Sequence, residues 1–388
     1  MPAPDVADHD SKPELPHAPV YLTGTGLYTP PNSISNEELV DSFNRFVDLH
    51  NAEHAEAISR GDVAPLQHSS SEFILKASGI EARYVVNKDG ILDPERMTPN
   101  IPERPDEEPS VMCEMALLAS REALRNAGLD ASELDAVLCA ASNMQRAYPA
   151  MAVEIQAALG ASGYAFDMNV ACSSATFGLQ QARDAIRSGS ARHVLVVNPE
   201  ICTGHLNFRD RDSHFIFGDV CTAMILSAEP HASGPCFRVV DSRLQTLFSN
   251  NIRNNFGFLN RADESGIGMP DKLFVQEGRK VFKEVCPAVA QQISGQLGDL
   301  GLEARDLKRL WLHQANVNMN VLIARKVLGR EATADEAPVI LNEYANTSSA
   351  GSVIALHKHS DDFRTGDVGV LCSFGAGYSI GSVVLERT

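Results

Sequence analysis

Apolar and polar positions alternate along this chain in two rhythms. The run VYLTGTGLYTP, from Val20 to Pro30, reads as a strand. Ser35 and Glu38 then stand at capping-box spacing, and Val40, Phe43, Phe46 and Val47 follow at helical spacing. From Ser110 onward the two rhythms take turns: SVMCEMALLASREALRNAGL precedes LDAVLCAAS, and GLQQARDAIRSG precedes HVLVVNP. This alternation predicts an α/β protein whose helices pack on parallel or mixed sheets.

Three stretches break the rhythm. Residues 1–17 are polar, Pro-rich and aperiodic, and read as a disordered tail. After the first helix, the polar segment NAEHAEAISRGDVAPLQHSSSE reads as an insertion. Leu92 to Pro109 holds five prolines and many acids, and reads as an exposed loop.

The chain also repeats itself. REALRNAGLDASELDAVLCAASN, ending at Asn143, resembles SGQLGDLGLEARDLKRLWLHQAN, ending at Asn316, and Gly128 matches Gly301 at the same offset. Downstream, AALG at 157–160 answers VLG at 327–329, SSA at 173–175 answers SSA at 348–350, and IRSG before a strand answers FRTG before a strand. Four echoes in one order point to duplication. The expected halves are 18–215, with a nucleophilic cysteine, and 216–388, with a histidine and an asparagine, packed about a pseudo-twofold axis.

Composition narrows the classes. With 388 residues, 44% of them hydrophobic, the chain can bury a large core. No stretch approaches the roughly 20 apolar residues that span a bilayer, and the first residues lack the apolar core of a signal peptide. The cytoplasm is therefore the expected location. A net charge of −17 repels nucleic acid and anionic membranes, so neither is an expected partner. Eight scattered cysteines form no CxxC pair, and neither a disulfide framework nor a metal site is expected.

Cys172 lies in DMNVACSSATFGLQQARDAIRSG, where a strand-like run ends in small residues and a helix begins. Backbone N–H groups and the helix dipole at such a turn favour the thiolate, the nucleophilic form. A lone cysteine is more often a small buried hydrophobe, and Cys139, Cys221 and Cys286, in apolar runs, take that reading. His313 follows a short apolar strand in RLWLHQANVNMN, and its repeat counterpart is Ala140. One half thus carries a titratable group where the other has none. A neutral imidazole at a strand end can donate a hydrogen bond or shuttle a proton. Asn346, in NEYANTSSAGSVIALHKH, sits within one position of the repeat partner of Cys172, so the two turns should face each other. The ordinary use of such an asparagine is a helix N-cap. Capping and facing a ligand are expected to exclude each other for one side chain. Near the C-terminus, Gly375-Ala376-Gly377 forms a turn between strand signals, whose small residues let backbone N–H groups approach a substrate oxygen.

Together NVACSSA, LHQAN, ANTSSA and FGAG, in this order, resemble the β-ketoacyl-acyl-carrier-protein synthase III family over about Val20 to Leu385. The resemblance implies the thiolase fold, a duplicated five-layer α/β/α/β/α arrangement, as an obligate homodimer without a cofactor. It implies acyl transfer from a thioester primer to Cys172, then decarboxylative Claisen condensation with malonyl-acyl-carrier protein. His313 and Asn346 match the pair that stabilises the enolate, and the backbone N–H groups of Cys172 and Ala376 match the oxyanion hole. Tyr148 matches a residue that reaches the partner's acyl tunnel. Lys283, Arg325 and Lys326 match positions that meet the acyl carrier protein. Primers would be coenzyme A or carrier thioesters.

Two departures bear on the primer. Where the family often has a Trp and an Arg that sandwich the adenine of coenzyme A, the matching segment has Phe73 and Ala77, and an Arg common two residues after HQAN is Asn318. Carrier-bound or longer primers are therefore expected to outcompete acetyl coenzyme A. The alternatives are a thiolase using Cys372 as a second catalytic cysteine, an acyl-shuttling relative, and a non-catalytic partner subunit of a condensing complex.

Overall fold

The computed structural model of the chain describes residues 18–230, 236–254 and 273–388, with 262, 264 and 269. The tail expected over residues 1–17 lies outside them. Nine strands make the main sheet. They are β1 (Tyr21–Tyr28), β2 (Ala136–Ala140), β3 (Tyr164–Met168), β4 (His193–Ile201), β5 (Asp219–Ser227), β6 (Phe237–Ser249), β7 (Leu307–Leu312), β8 (Val368–Gly375) and β9 (Gly377–Arg387). The helices that frame the site are α1 (Asn36–Glu53), α2 (Ser71–Ser78), α3 (Val111–Ala127), α4 (Met151–Leu159), α5 (Ser174–Arg187), α6 (Gly278–Asp299), α7 (Val317–Leu328) and α8 (Ala350–Lys358).

Strand order across the sheet is β7-β8-β9-β6-β1-β5-β4-β2-β3. Outward from β1, the neighbours are antiparallel to β5, antiparallel again to β4, then parallel to β2. Outward from β6, the same sequence runs through β9, β8 and β7. The duplication read from the sequence is thus a duplication of topology. The halves join where β1 pairs with β6 through Tyr21 and Leu22 only. β5 pairs with β1 and β4, so we propose drawing the divide between halves after Ser227 rather than between 215 and 216.

Burial on both faces explains the apolar runs. On β4, Val194 and Val196 enter one core while Leu195 and Val197 enter another. The first core holds α5 and α8 between the strands of both halves: Leu179 and Val353 share it with Val196 and Leu371. The second seats α3 and α4 on β2, β4 and β5, and the third seats α6 and α7 on β7, β8 and β9. Five layers result, with α5 and α8 in the middle.

A smaller cap lies over one end. α1 starts at the capping box of Ser35 and Glu38, and it buries Leu39, Phe43 and Val47 against Ile74, Phe208 and Phe215. The segment that reads as an insertion is pinned to α1: Asn44 and Asn51 each clasp a backbone N–H and C=O, at Ser69 and Leu66. The Leu92–Pro109 stretch is mostly exposed, yet Met97 is buried in the cap.

Close approach of α3 to β1 depends on two glycines. A Cβ at Gly26 would sit 2.1 Å from the Ala119 carbonyl oxygen, and one at Gly24 would sit 2.2 Å from that of Ala123. Backbone cannot give way as a flexible side chain can. Gly26→Ala is therefore expected to cost about 1–3 kcal/mol in denaturant unfolding, the usual range for overpacking. A stability equal to wild type would show that α3 slides off freely.

Candidate active site

Cys172 sits where β3 ends and α5 begins, on a single tight helical turn over Ala171–Ser173. His313 directly follows β7, and its N–H donates to the Cys372 carbonyl at 2.8 Å. Asn346 comes from the turn before α8. Its N–H donates to Ile216 C=O, and its own carbonyl accepts from Gly218 N–H. All three residues, with Phe374 and Gly375, line one cavity of about 290 Å³. The rest of its wall is largely apolar, including Phe215, Phe217, Phe274, Val281 and Phe282.

The thiol is not a ready thiolate. Burial, assisted by the nearby Glu200 carboxylate, pushes the Cys172 pKa up to about 11. Hydrogen bonds from Ser348 Oγ, at 3.5 Å, and from the N–H groups of Ala376 and Cys172 pull the other way without prevailing. The N–H groups expected to favour the thiolate do lower the pKa, but desolvation outweighs them. The two N–H groups do converge on the sulfur, and Gly375 makes their approach feasible: a Cβ there would lie 2.6 Å from that of Cys172.

His313 is 2% exposed, and burial holds its pKa down at about 4, so the ring is neutral near pH 7. Its Nδ1 has no hydrogen-bond partner among the described residues, and the ring packs edge-on to Phe374 at 5.2 Å. Asn346 does not cap α8, whose N-cap is Ser349 with no side-chain cap bond, so its amide is left to the cavity and to a local turn. Its Oδ1 accepts from Ser348 N–H at 2.9 Å, which fixes the turn and leaves Nδ2 as the donor of a cavity-lining side chain.

Other predicted residues lie apart from this cluster. Cys139, Cys221 and Cys372 are fully buried in strands, and burial raises each thiol pKa. Tyr148 is 85% exposed, outside the cavity of its own chain. Lys283 on α6 and Arg325 and Lys326 on α7 are exposed, on two helices whose first turns line the cavity. Arg325 lies 3.4 Å from Glu331.

The departure at Ala77 reads differently in three dimensions. Ala77 lines the cavity, and Phe73 one turn earlier carries Arg211 over its ring at 4.2 Å. A cation does meet the Phe73 ring, but it comes from a distant loop rather than from α2. Sequence reasoning also missed Glu200. It accepts from Ser142 N–H and Oγ at 3.0 and 2.5 Å, from Ser349 N–H at 3.2 Å, and from Ser349 Oγ. It thus ties the end of β2 to the Asn346 turn, and burial raises its pKa to about 7. A carboxylate inside the apolar run HVLVVNPEI was the available signal.

The duplicated five-layer architecture is the thiolase fold, and the chain is a condensing enzyme of that fold. It belongs to the β-ketoacyl-acyl-carrier-protein synthase III family. Residues 166–246 match the description 3-oxoacyl-[acyl-carrier-protein (ACP)] synthase III, and residues 297–387 match its C-terminal part. The chain is 65% identical over 349 residues to a β-ketodecanoyl-[acyl-carrier-protein] synthase of Pseudomonas aeruginosa, covering 90% of this chain and 100% of that one. It is 31% identical to a β-ketoacyl-[acyl-carrier-protein] synthase III of a Roseiflexus species, over 85% and 94% of the two chains. The crystal structure of the priming β-ketosynthase of the R1128 polyketide pathway aligns with a TM-score of 0.73 at 25% identity, covering 98% of each chain.

Proposed function

We propose that this enzyme loads a medium-chain acyl group onto Cys172 and extends it with malonyl-acyl-carrier protein. The observation that carries the assignment is the convergence of Cys172, His313 and Asn346 on one apolar cavity. The P. aeruginosa relative is named for a ten-carbon β-ketoacyl product. Malonyl condensation adds two carbons, so an equivalent product here starts from an eight-carbon primer.

Cys172 attacks the primer's thioester carbonyl while the N–H groups of Cys172 and Ala376 receive the developing oxyanion. Collapse expels the carrier thiolate, which takes up the proton that Cys172 gives up. Malonyl thioester then loses CO₂, and its enolate is held by neutral His313 and by Asn346 Nδ2. The enolate carbon attacks the acyl carbonyl. Cys172 leaves as thiolate and is reprotonated from solvent.

Carrier proteins of acidic surface would dock on Lys283, Arg325 and Lys326. No helix among the described residues is long and apolar enough to cross a membrane. A homodimer is supported by what one chain leaves open. β3 is an edge strand with Tyr164 and Phe166 each 39% exposed, and Tyr148 and Phe248 are 85% and 87% exposed. In such a dimer Tyr148 would close the partner's acyl tunnel.

The test is competition among acyl thioesters of two to twelve carbons on coenzyme A and on carrier protein, with malonyl-acyl-carrier protein and mass analysis of products. Octanoyl primers are expected to win and to yield β-ketodecanoyl product. A preference for acetyl primers would sink the medium-chain assignment. The pH dependence is a further check. His313 acts neutral, and with its pKa near 4 the neutral form is lost only as pH falls through about 4. Malonyl decarboxylation by acylated enzyme should stay level between pH 6 and 8 and decline below about pH 5. An acid limb centred near the ordinary histidine pKa of about 6.5 that persists in Glu200→Gln protein, and so does not come from Glu200 with its pKa of about 7, would show that His313 is solvated in the working enzyme.

A further inference from the structure

The aromatic wall of the Cys172 cavity is linked by ring contacts to a residue that lines a second cavity. Phe217 and Phe274 line the first, and their rings meet edge-on at 4.7 Å. His205 packs against both, its ring 5.3 Å from Phe217 and 6.4 Å from Phe274. The Phe274 N–H donates to the His205 carbonyl at 3.0 Å, which fastens the two segments together. His205 in turn lines another cavity, of about 490 Å³, whose wall combines Val111, Met112 and Met144 with Glu103, Asn143 and Gln145. Three rings in mutual contact therefore join the wall of one space to the wall of the other.

His205 is an odd residue for a plain partition. Both ring nitrogens are buried without a hydrogen-bond partner among the described residues. Burial keeps the ring neutral, with a pKa near 4. An unpaired buried donor and acceptor cost free energy as long as the wall is closed. Turning the imidazole toward the open second cavity would return them to water. The closed wall is thus held less firmly than one made of three phenylalanines.

We propose that His205, with Phe217 and Phe274, forms a gate that sets primer length by admitting the far end of a long acyl chain into the second cavity. This rests on the medium-chain reading of the Cys172 site. Short and medium chains fit in front of the gate, and longer ones need it open. Met144 and Gln145 of the second cavity belong to the loop that carries Tyr148, so this space lies beside the residue expected to close the tunnel of the partner chain.

The test compares kcat/KM for dodecanoyl and octanoyl thioesters, with intact-protein mass analysis of the acyl group on Cys172. His205→Ala opens the wall and should raise the dodecanoyl-to-octanoyl ratio tenfold or more, since each newly buried methylene is worth about fourfold in binding. His205→Leu keeps the wall filled but removes the unpaired nitrogens, and it should lower the ratio below wild type. Met144→Trp fills the second cavity and should cancel the gain when combined with His205→Ala. A purely structural histidine would not move the ratio in opposite directions in Ala and Leu variants. An unchanged ratio in His205→Ala protein that still acylates with octanoyl overturns the gate, as does a gain that survives Met144→Trp. Should His205→Ala fail to fold, unmoved ratios in both His205→Leu and Met144→Trp overturn it instead. A wild-type enzyme that takes no medium-chain acyl group at all would overturn the reading beneath the gate, a result plainly distinct from an unmoved ratio.

Discussion

Cys172→Ala protein is expected to form no acyl-enzyme with any primer, a loss on the order of a millionfold by comparison with other covalent catalysts stripped of their nucleophile. Only Cys172 joins a thiol to the cavity, to two converging N–H groups and to a neighbouring hydroxyl, Ser348 Oγ. Its raised pKa makes the effect sharper. A sulfur near pKa 11 is a thiol at rest, so activation waits for a bound thioester whose leaving group accepts the proton. Cys172→Ser keeps the shape but offers a far weaker nucleophile, and should be nearly as inert. Cys139→Ala and Cys372→Ala should acylate normally, because both thiols are buried in strands away from the cavity. Intact-mass spectra after incubation with octanoyl thioesters decide the matter. An acyl adduct on Cys172→Ala protein would move the nucleophile elsewhere and revive Cys372 as the candidate.

Much of this arrangement was legible in the sequence because it follows from local rhythm and from repetition. The run HVLVVNP is apolar on both faces because β4 lies between two helix layers, and a strand so placed has no solvent side to mark. The repeat predicts that the turns bearing Cys172 and Asn346 are equivalent, and both line one cavity. What the sequence hid depends on distance along the chain. Arg211 reaches Phe73 from a loop, and no spacing rule connects a loop cation to a helix aromatic 138 positions earlier. Glu200 bonds Ser349, 149 positions away, and an apolar strand run gives its carboxylate no visible partner. The raised pKa of the thiol has the same origin. A helix start is a local feature that any reader of the sequence can locate, whereas the desolvation that overrides it comes from the whole surrounding fold.

Duplication also explains how one fold houses two chemical tasks. Equivalent turns deliver Cys172, the proposed nucleophile, from the first half and the Asn346 amide from the second, while the end of β7 delivers His313 where the end of β2 has Ala140. Glu200 binds the two sets together, with Ser142 on one side and Ser349 on the other. A symmetric scaffold thus presents an asymmetric set of side chains to a single cavity.

Separating those tasks is the purpose of the other large expected effect. His313→Ala and Asn346→Ala should each leave self-acylation of Cys172 largely intact and slow malonyl decarboxylation by about a hundredfold to a thousandfold, the usual loss for one donor aimed at a developing oxyanion. The imidazole suits this role because burial keeps it uncharged, so it stabilises the enolate as a dipole without first binding a proton. Asn346 needs a second variant, since Ala removes two functions at once. Its Oδ1 holds the Ser348 N–H, and Ser348 Oγ touches the nucleophilic sulfur. Asn346→Asp keeps an acceptor for that N–H but replaces the Nδ2 donor with an anionic oxygen. If the donor is what matters, Asn346→Asp should decarboxylate at least as poorly as Asn346→Ala while holding the turn. Release of labelled CO₂ from malonyl-acyl-carrier protein, measured on enzyme acylated beforehand, reads the decarboxylation step alone. Variants that decarboxylate normally but fail to acylate would reverse the assignment and make His313 and Asn346 partners of the first half-reaction.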